Sequence, residues 1–437
     1  MLGRDHALQL LEEALARSPA DQAEVVMMVG DSAVTRFANS MIHQNLAESA
    51  ARASVRSVFG KRVGSATTNR LEPEQLRAIT ERSAELARLQ TENRDFVSLP
   101  RPQPVAAVRA MSVATDASTP EARAAVVAEI VAMAKQEKCQ VSGVLSVESN
   151  ELAVGNSLGV RAYHPSTLAL LNVIASDDTA SGYGHWMGHD ISRLDHKGVA
   201  WTAIEKCILG RRPAEIEPGG YEVILEPAAV TDLLQFLAWL GFGANAVEEG
   251  RSFMCDRFGS RITGEQISIW DNGLDPAGVP LPFDFEGVPK QRVDLIENGV
   301  ANAVVYDSYC ANKKGKQSTG HALPAPNTYG PMPLNMFLGT GAATRDDMIR
   351  STRRGLLVTR FHYTNVVQPK ETVITGMTRD GTFLIEGGKL GHAVRNLRFT
   401  QSILGALDGV QLIGKDAALT DRCVVPALKL ARFEFTS

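Results

Sequence analysis

The sequence from residue 221 to 243, Tyr221-Glu222-Val223-Ile224-Leu225-Glu226-Pro227-Ala228-Ala229-Val230-Thr231-Asp232-Leu233-Leu234-Gln235-Phe236-Leu237-Ala238-Trp239-Leu240-Gly241-Phe242-Gly243, has the sharpest change of pattern in the chain. Residues 221–225 are β-branched and apolar enough for a strand, Glu226-Pro227 ends it, and residues 228–240 run without a breaker until Gly241 and Gly243. The reading is strand, tight turn, helix. Leu233, Leu234, Leu237 and Leu240 recur at helical spacing, with Phe236 and Trp239 adding bulk around the cylinder, so most of this helix is expected to be buried. At roughly 13 residues it is too short to cross a bilayer, which takes about 20.

Around this centre the chain divides at Arg211-Arg212-Pro213 to Pro218-Gly219-Gly220, giving an expected N-terminal domain over 1–215 and a C-terminal domain over 216–437. The N-terminal half alternates in type. Helices are predicted over 5–17, 73–90, 121–137 and 197–209. Short strands are predicted over 23–29, 33–39, 54–59, 62–67, 141–149, 151–154, 160–163 and 167–176, with turns at Gly30-Asp31 and Ser149-Asn150. After the central helix the pattern turns to β, with strands expected at 252–258, 266–270, 293–296, 301–306, 355–363, 371–376, 382–385 and 393–399, and one further helix at 345–354. The fold class expected is α+β: an N-terminal α/β domain of antiparallel strands and helices, then a β-rich, barrel-like antiparallel domain.

Composition narrows the function. A formal net charge of -4 over 437 residues supplies no basic footprint, which argues against nucleic acid as a partner. The five cysteines, Cys139, Cys207, Cys255, Cys310 and Cys423, are far apart in sequence and contain no C-x-x-C pair, a pattern suited to reduced thiols. No apolar signal-peptide core follows Met1, and the expectation is a cytoplasmic protein without membrane contact.

A second stretch, Thr375-Gly376-Met377-Thr378-Arg379-Asp380-Gly381-Thr382-Phe383-Leu384-Ile385-Glu386-Gly387-Gly388-Lys389-Leu390, resembles the TGxTRDGTFLIENGK signature of the TldD/PmbA (TldE) family. Thr35-Arg36-Phe37-Ala38-Asn39-Ser40, Ile42-His43-Gln44-Asn45 and Ser318-Thr319-Gly320 extend the resemblance over most of the chain. In that family the catalytic subunit, TldD, carries zinc on the helix equivalent to 228–240, in a motif LLHExxxH: two histidines hold the metal and the Glu acts as base on bound water. Leu233-Leu234 match. Gln235 stands at the first His, Phe236 at the Glu and Leu240 at the second His. Phe and Leu offer no lone pair, so no zinc site is expected on this helix and no catalytic residue is assigned. The resemblance is thus to the TldE/PmbA branch. It implies a non-catalytic subunit of a metallopeptidase complex acting on extended or unfolded peptides, with zinc in a TldD-like partner, as a heterodimer. The rivals are a self-sufficient peptidase using another site and a homodimeric peptide-binding protein.

Other constellations carry blander readings. His185 and His189 have the spacing of H-E-x-x-H, but Trp186 stands where the base belongs and the flanking glycines do not suggest a helix, so they read as exposed loop histidines. Cys310 with His321 would need proximity and a depressed thiol pKa, and a free cysteine is more often a small core residue. Residues 313–321 read as a flexible basic loop. Gly339-Thr340-Gly341 lacks the rest of a nucleotide fingerprint and reads as a tight turn. His321, His362 and Asn365 are the residues expected to touch a substrate peptide.

Overall fold

The structure is a computed structural model describing residues 1–437. Its first half is built on a six-stranded, wholly antiparallel sheet made of β1 (Gln22–Ala38), β2 (Met41–Phe59), β3 (Arg62–Thr68), β4 (Gln140–Asn156), β5 (Arg161–Ser176) and β6 (Ser181–Gly188), in the order β3-β2-β1-β4-β5-β6. One face is covered by helices. α1 (Arg4–Ala16) and α2 (Pro73–Leu89) bury Leu10, Leu11, Leu76 and Ile79 against Val25, Met27 and Val55. After the short α3 (Val113–Asp116), α4 (Pro120–Gln136) and α5 (His196–Leu209) bury Val127, Ile130 and Ile204 against Phe37, Leu145 and Leu171. The opposite face meets the second half through Val26, Leu152 and Val154, which pack on Phe283.

The expected turns at Gly30-Asp31 and Ser149-Asn150 are not turns. The four short strands predicted on either side of them, 23–29, 33–39, 141–149 and 151–154, are two long strands, β1 and β4, because Asp31 and Ser149 pair with each other across these strands, next to the pair Gly30 and Asn150. They form a polar row across the middle of the sheet, where Asp31 accepts from Ser49 Oγ at 2.6 Å and from the N-terminal amine at 2.9 Å. Polar side chains satisfied across strands have the same composition as a turn.

The second half contains β7 (Gly219–Leu225), α6 (Pro227–Gly241), α7 (Ala244–Glu248), β8 (Ile269–Asp271), β9 (Val293–Glu297), β10 (Val300–Ala301), α8 (Ser308–Lys313), β11 (Met336–Leu338), α9 (Arg345–Arg350), β12 (Arg354–Gln368), β13 (Val373–Glu386), β14 (Lys389–Ala393), β15 (Arg398–Ser402), α10 (Ile403–Asp408), β16 (Val410–Thr420) and β17 (Cys423–Phe435). Five strands close on themselves in the order β7-β12-β13-β15-β17, with β17 returning to pair with β7. This is the expected barrel. It departs from the antiparallel arrangement expected, because β12 pairs in parallel with β7 within the ring and β11 pairs in parallel with β17 beside it. Phe361, Phe399 and Phe433 stack within the barrel's share of the core, with centroids 4.4 to 5.6 Å apart.

Two local expectations are corrected. Residues 252–258 form successive turns rather than a strand: Ser252 Oγ donates to the Gly241 carbonyl and accepts from Met254 N, and Asp256 has φ of 59°. The helix placed at 345–354 stops at Arg350 because Arg354 already opens β12; a Thr344/Asp347 capping box fixes its start. No helix is long and apolar enough to cross a membrane.

Candidate functional site

β7 delivers the chain to Glu226, whose extended backbone caps α6, and Pro227 occupies the first turn, where a missing N–H costs nothing. The Glu226 carboxylate is held from the other half of the molecule by the buried Lys206 ammonium of α5 and flanked by Arg345 at 3.6 Å. The start of the helix is therefore fixed to both halves. Val230, Leu233, Leu234 and Leu237 are fully buried on its inner face.

The outer face is more open than the leucine pattern suggested. Trp239 is 49% exposed, Gln235 is exposed, and Phe236 is half-buried with its ring 6.3 Å from that of Trp239. Gln235 Nε2 donates to the Asp421 carbonyl at 3.2 Å, on the turn joining β16 to β17, while Leu240 is only 6% exposed and belongs to the core. Three groups that would have to converge on a metal thus point to different places. One is an amide, one an aromatic ring and one an alkyl chain, so these residues do not fit zinc. Nowhere in the chain do three His, Cys, Asp or Glu side chains group in a way that could hold a metal ion.

A polar cluster lies beside this outer face. Asp232, one turn before Gln235, accepts from Thr364 Oγ1 of β12 at 3.0 Å, and burial pushes its carboxyl up to about 6, with Asp421 adding to the rise. Arg360 of β12 donates through Nε to Asp380 Oδ2 at 2.7 Å and lies 4.5 Å over the Tyr183 ring of β6. Asp380 also accepts from Ser181 Oγ at 2.7 Å. The Arg379-Asp380-Gly381 signature is in this way a clamp between the two halves. Asp380 sits at φ 54°, a conformation Asp tolerates better than most side chains.

Replacing Asp232 with asparagine keeps an acceptor for Thr364 and removes the buried charge. A carboxyl whose folded pKa is raised contributes its full stability below its unfolded pKa near 4 and loses it as pH climbs through about 6. Asp232→Asn is therefore expected to exceed the parent in stability by about 1–3 kcal/mol at pH 8, with the gap closing toward pH 4. Urea unfolding at both pH values measures it.

The other expected site residues separate. His321 is fully buried: Nε2 lies 2.8 Å from Asp271 Oδ1 and Nδ1 2.9 Å from Thr319 Oγ1, with Lys290 Nζ 3.6 Å from the same carboxylate. The substrate contact expected of His321 is corrected to a place in the core, since no peptide reaches a side chain without exposed surface. Cys310 is also buried, and burial raises its thiol pKa further, with Asp307 adding to the effect, the opposite of what a nucleophile needs. His185 is not on a loop but on β6, half-buried, with Nδ1 2.6 Å from Asn172 Oδ1 and Nε2 3.3 Å from the Leu419 carbonyl. The basic segment at 313–321 is partly α8, and Lys313 pairs with Glu248 and with Asp95.

His362 is half-buried and Asn365 exposed on the outer part of β12. β7 pairs with β12 only over Gly355–Val358, so from Arg360 to Gln368 the strand has β13 on one side and no strand on the other. The strand bulges here, with a register shift between His362 and Asn365 and Tyr363 at φ 53°. Sequence reasoning missed Asp232, Arg360, Tyr183 and Asp421. Their proximity depends on contacts between strands nearly two hundred residues apart, which no local pattern records.

An antiparallel six-stranded layer joined to a closed five-stranded barrel, with the strand-turn-helix of β7 and α6 at the junction, defines the class. Residues 218–437, half of the chain, match the PmbA/TldA metallopeptidase C-terminal domain, and the protein belongs to the PmbA/TldD family. Over 185 residues, 42% of this chain and 43% of the relative, it is 32% identical to an uncharacterized protein of Methanocaldococcus jannaschii. It is 26% identical over 270 residues, 60% of this chain and 57% of the relative, to Metalloprotease PmbA of Escherichia coli O157:H7. The chain spans about half the length of the curated relatives it matches. The crystal structure of TldE from Thermococcus kodakarensis superposes with a TM-score of 0.89 at 21% identity, covering 99% of this chain and all of that one. At that identity the likeness concerns the fold.

Proposed function

We propose that this chain is the non-catalytic, TldE-like subunit of a TldD/TldE-type zinc metallopeptidase, acting with a TldD-like partner on extended or unfolded peptides. The observation that carries the reading is the chemistry at the three zinc-motif positions. Gln235 faces solvent and binds a main-chain carbonyl, Phe236 is half-buried, and Leu240 is in the core, so α6 offers no base and no ligand set. The structural likeness to a protein named TldE agrees with it.

Within this reading the free side of β12 receives peptide. Main-chain pairing to a strand edge gives affinity without demanding sequence, and His362 and Asn365 stand where side-chain contacts would be made. The test is to mix the purified chain with a TldD-like protein that retains HExxxH. Co-elution, together with peptidase activity on an unfolded peptide that a chelator abolishes, is the expected result. The isolated chain should be inactive. Stoichiometric zinc and chelator-sensitive activity in the isolated chain would overturn the proposal.

A further inference from the structure

The five cysteines are scattered in sequence, yet the fold brings two together. Cys139 lies between the end of α4 and the first residue of β4, and Cys207 lies in the last turns of α5. Their Sγ atoms are 3.6 Å apart, and both residues are buried, at 4% and 0% exposure. Each sulfur has a main-chain carbonyl at 3.7 Å, Glu137 for Cys139 and Ala180 for Cys207. The thiols therefore face one another. A disulfide needs a sulfur separation near 2.05 Å, so the two sulfurs must approach by about 1.5 Å to close the bond.

The two sulfurs are not equivalent. Arg211 Nη2 is 3.8 Å from Cys139 Sγ, and the Arg211 side chain is 38% exposed, so a guanidinium stands between this sulfur and solvent. Asp177 shares that guanidinium at 2.8 Å. A cation beside a sulfur stabilises the negative charge that must develop there for attack on peroxide, which marks Cys139 as the attacking sulfur. Cys207 has no such neighbour within hydrogen-bonding range and lies against α4, β4 and β5 in the core. A groove of about 780 Å³ between the halves, lined by Asp177, Ala180, Gly210 and Arg212, opens beside the pair.

We propose that Cys139 and Cys207 form a peroxide-oxidisable dithiol. The Cys139 thiolate attacks one oxygen of hydrogen peroxide and the O–O bond breaks, giving a sulfenic acid and hydroxide, which takes up a proton as water. The Cys207 sulfur then attacks the Cys139 sulfur, the S–O bond breaks, and a second water leaves with the Cys207 proton. Two thiols lose two electrons in total and one peroxide gains them. The bond joins the start of β4 to α5, one residue from Lys206, which holds Glu226 at the head of α6. This property is independent of the peptidase reading, and each can fail without the other.

The test treats the full chain with a few equivalents of hydrogen peroxide, then unfolds, alkylates and maps it. A Cys139–Cys207 linked peptide reversed by dithiothreitol is expected, together with a higher Tm for the oxidised chain. In Cys207→Ser a sulfenic acid at Cys139, trapped by dimedone, should accumulate instead. Both thiols remaining alkylatable at a dose that oxidises the half-buried Cys255 would overturn the proposal, as would Cys139 linked to any other cysteine. The wild-type map decides the matter even if a variant fails to fold.

Discussion

Replacing Arg56 with methionine is expected to be among the most destabilising single changes in the molecule, about 3–5 kcal/mol at neutral pH, because it strands buried carboxylates that share one cation. Arg56 of β2 binds Glu24 of β1 at 2.8 Å and, across the junction, Glu286 of the second half at 2.9 Å. The two carboxylates are 2% and 8% exposed. Around them the field is already negative. Burial raises Glu24 to about 7 despite the neighbouring guanidinium, and burial with Glu286 nearby also raises Asp284 and Asp307.

The pH dependence has a definite sign. A raised folded pKa means that the carboxyl's contribution is present at low pH and is lost as pH climbs through the folded value, near 7 for Glu24. Without Arg56 that loss deepens, since nothing offsets the burial of charge. The deficit of Arg56→Met should accordingly be larger at pH 8 than at pH 5, by urea unfolding monitored through tryptophan fluorescence. Equal deficits at both values would mean that the carboxylates find water when the cation is gone.

Asp380→Ala should cost about 2–4 kcal/mol, somewhat less because Arg360 is 24% exposed and regains solvent. The carboxylate is 2% exposed and joins Arg360 of β12 to Ser181 of β6, so its loss loosens the two halves as well as the barrel. Calorimetry should show the unfolding endotherm of the variant broader than that of the parent, or split. In a double-mutant cycle with Arg360→Ala, the coupling should exceed about 1 kcal/mol, as contacting buried charges do. Additive effects would reduce the clamp to two independent contacts.

Much of this architecture is legible in the sequence alone. Helices are set by local periodicity and capping, so α1, α2, α4 and α5 fall close to their predicted bounds. The strand-turn-helix of β7 and α6 was read for the same reason, with Glu226-Pro227 marking the break. The polar midline of the six-stranded sheet was illegible, because Asp31, Ser49 and Ser149 find their partners on other strands. The site was half visible. The substitution of Gln235, Phe236 and Leu240 into the zinc-motif positions is a statement about side chains that sequence makes directly. That His321 is enclosed with Asp271, or that Asp232 and Arg360 meet near α6, depends on packing between distant segments.

The barrel has a consequence for how the chain acquires its shape. Leu225 of β7 pairs with Leu428 of β17, so the ring stays open until a strand just over two hundred residues downstream has been made. Contacts of that sequence separation form slowly, because the loop entropy is lost before the pairing returns anything. The six-stranded layer needs nothing beyond Gly188 for its hydrogen bonding and should mature first during synthesis, while β7 and β12 wait with bare edges. A ribosome stalled before residue 423 would hold a finished platform attached to a sticky half-barrel, the form most in need of a chaperone.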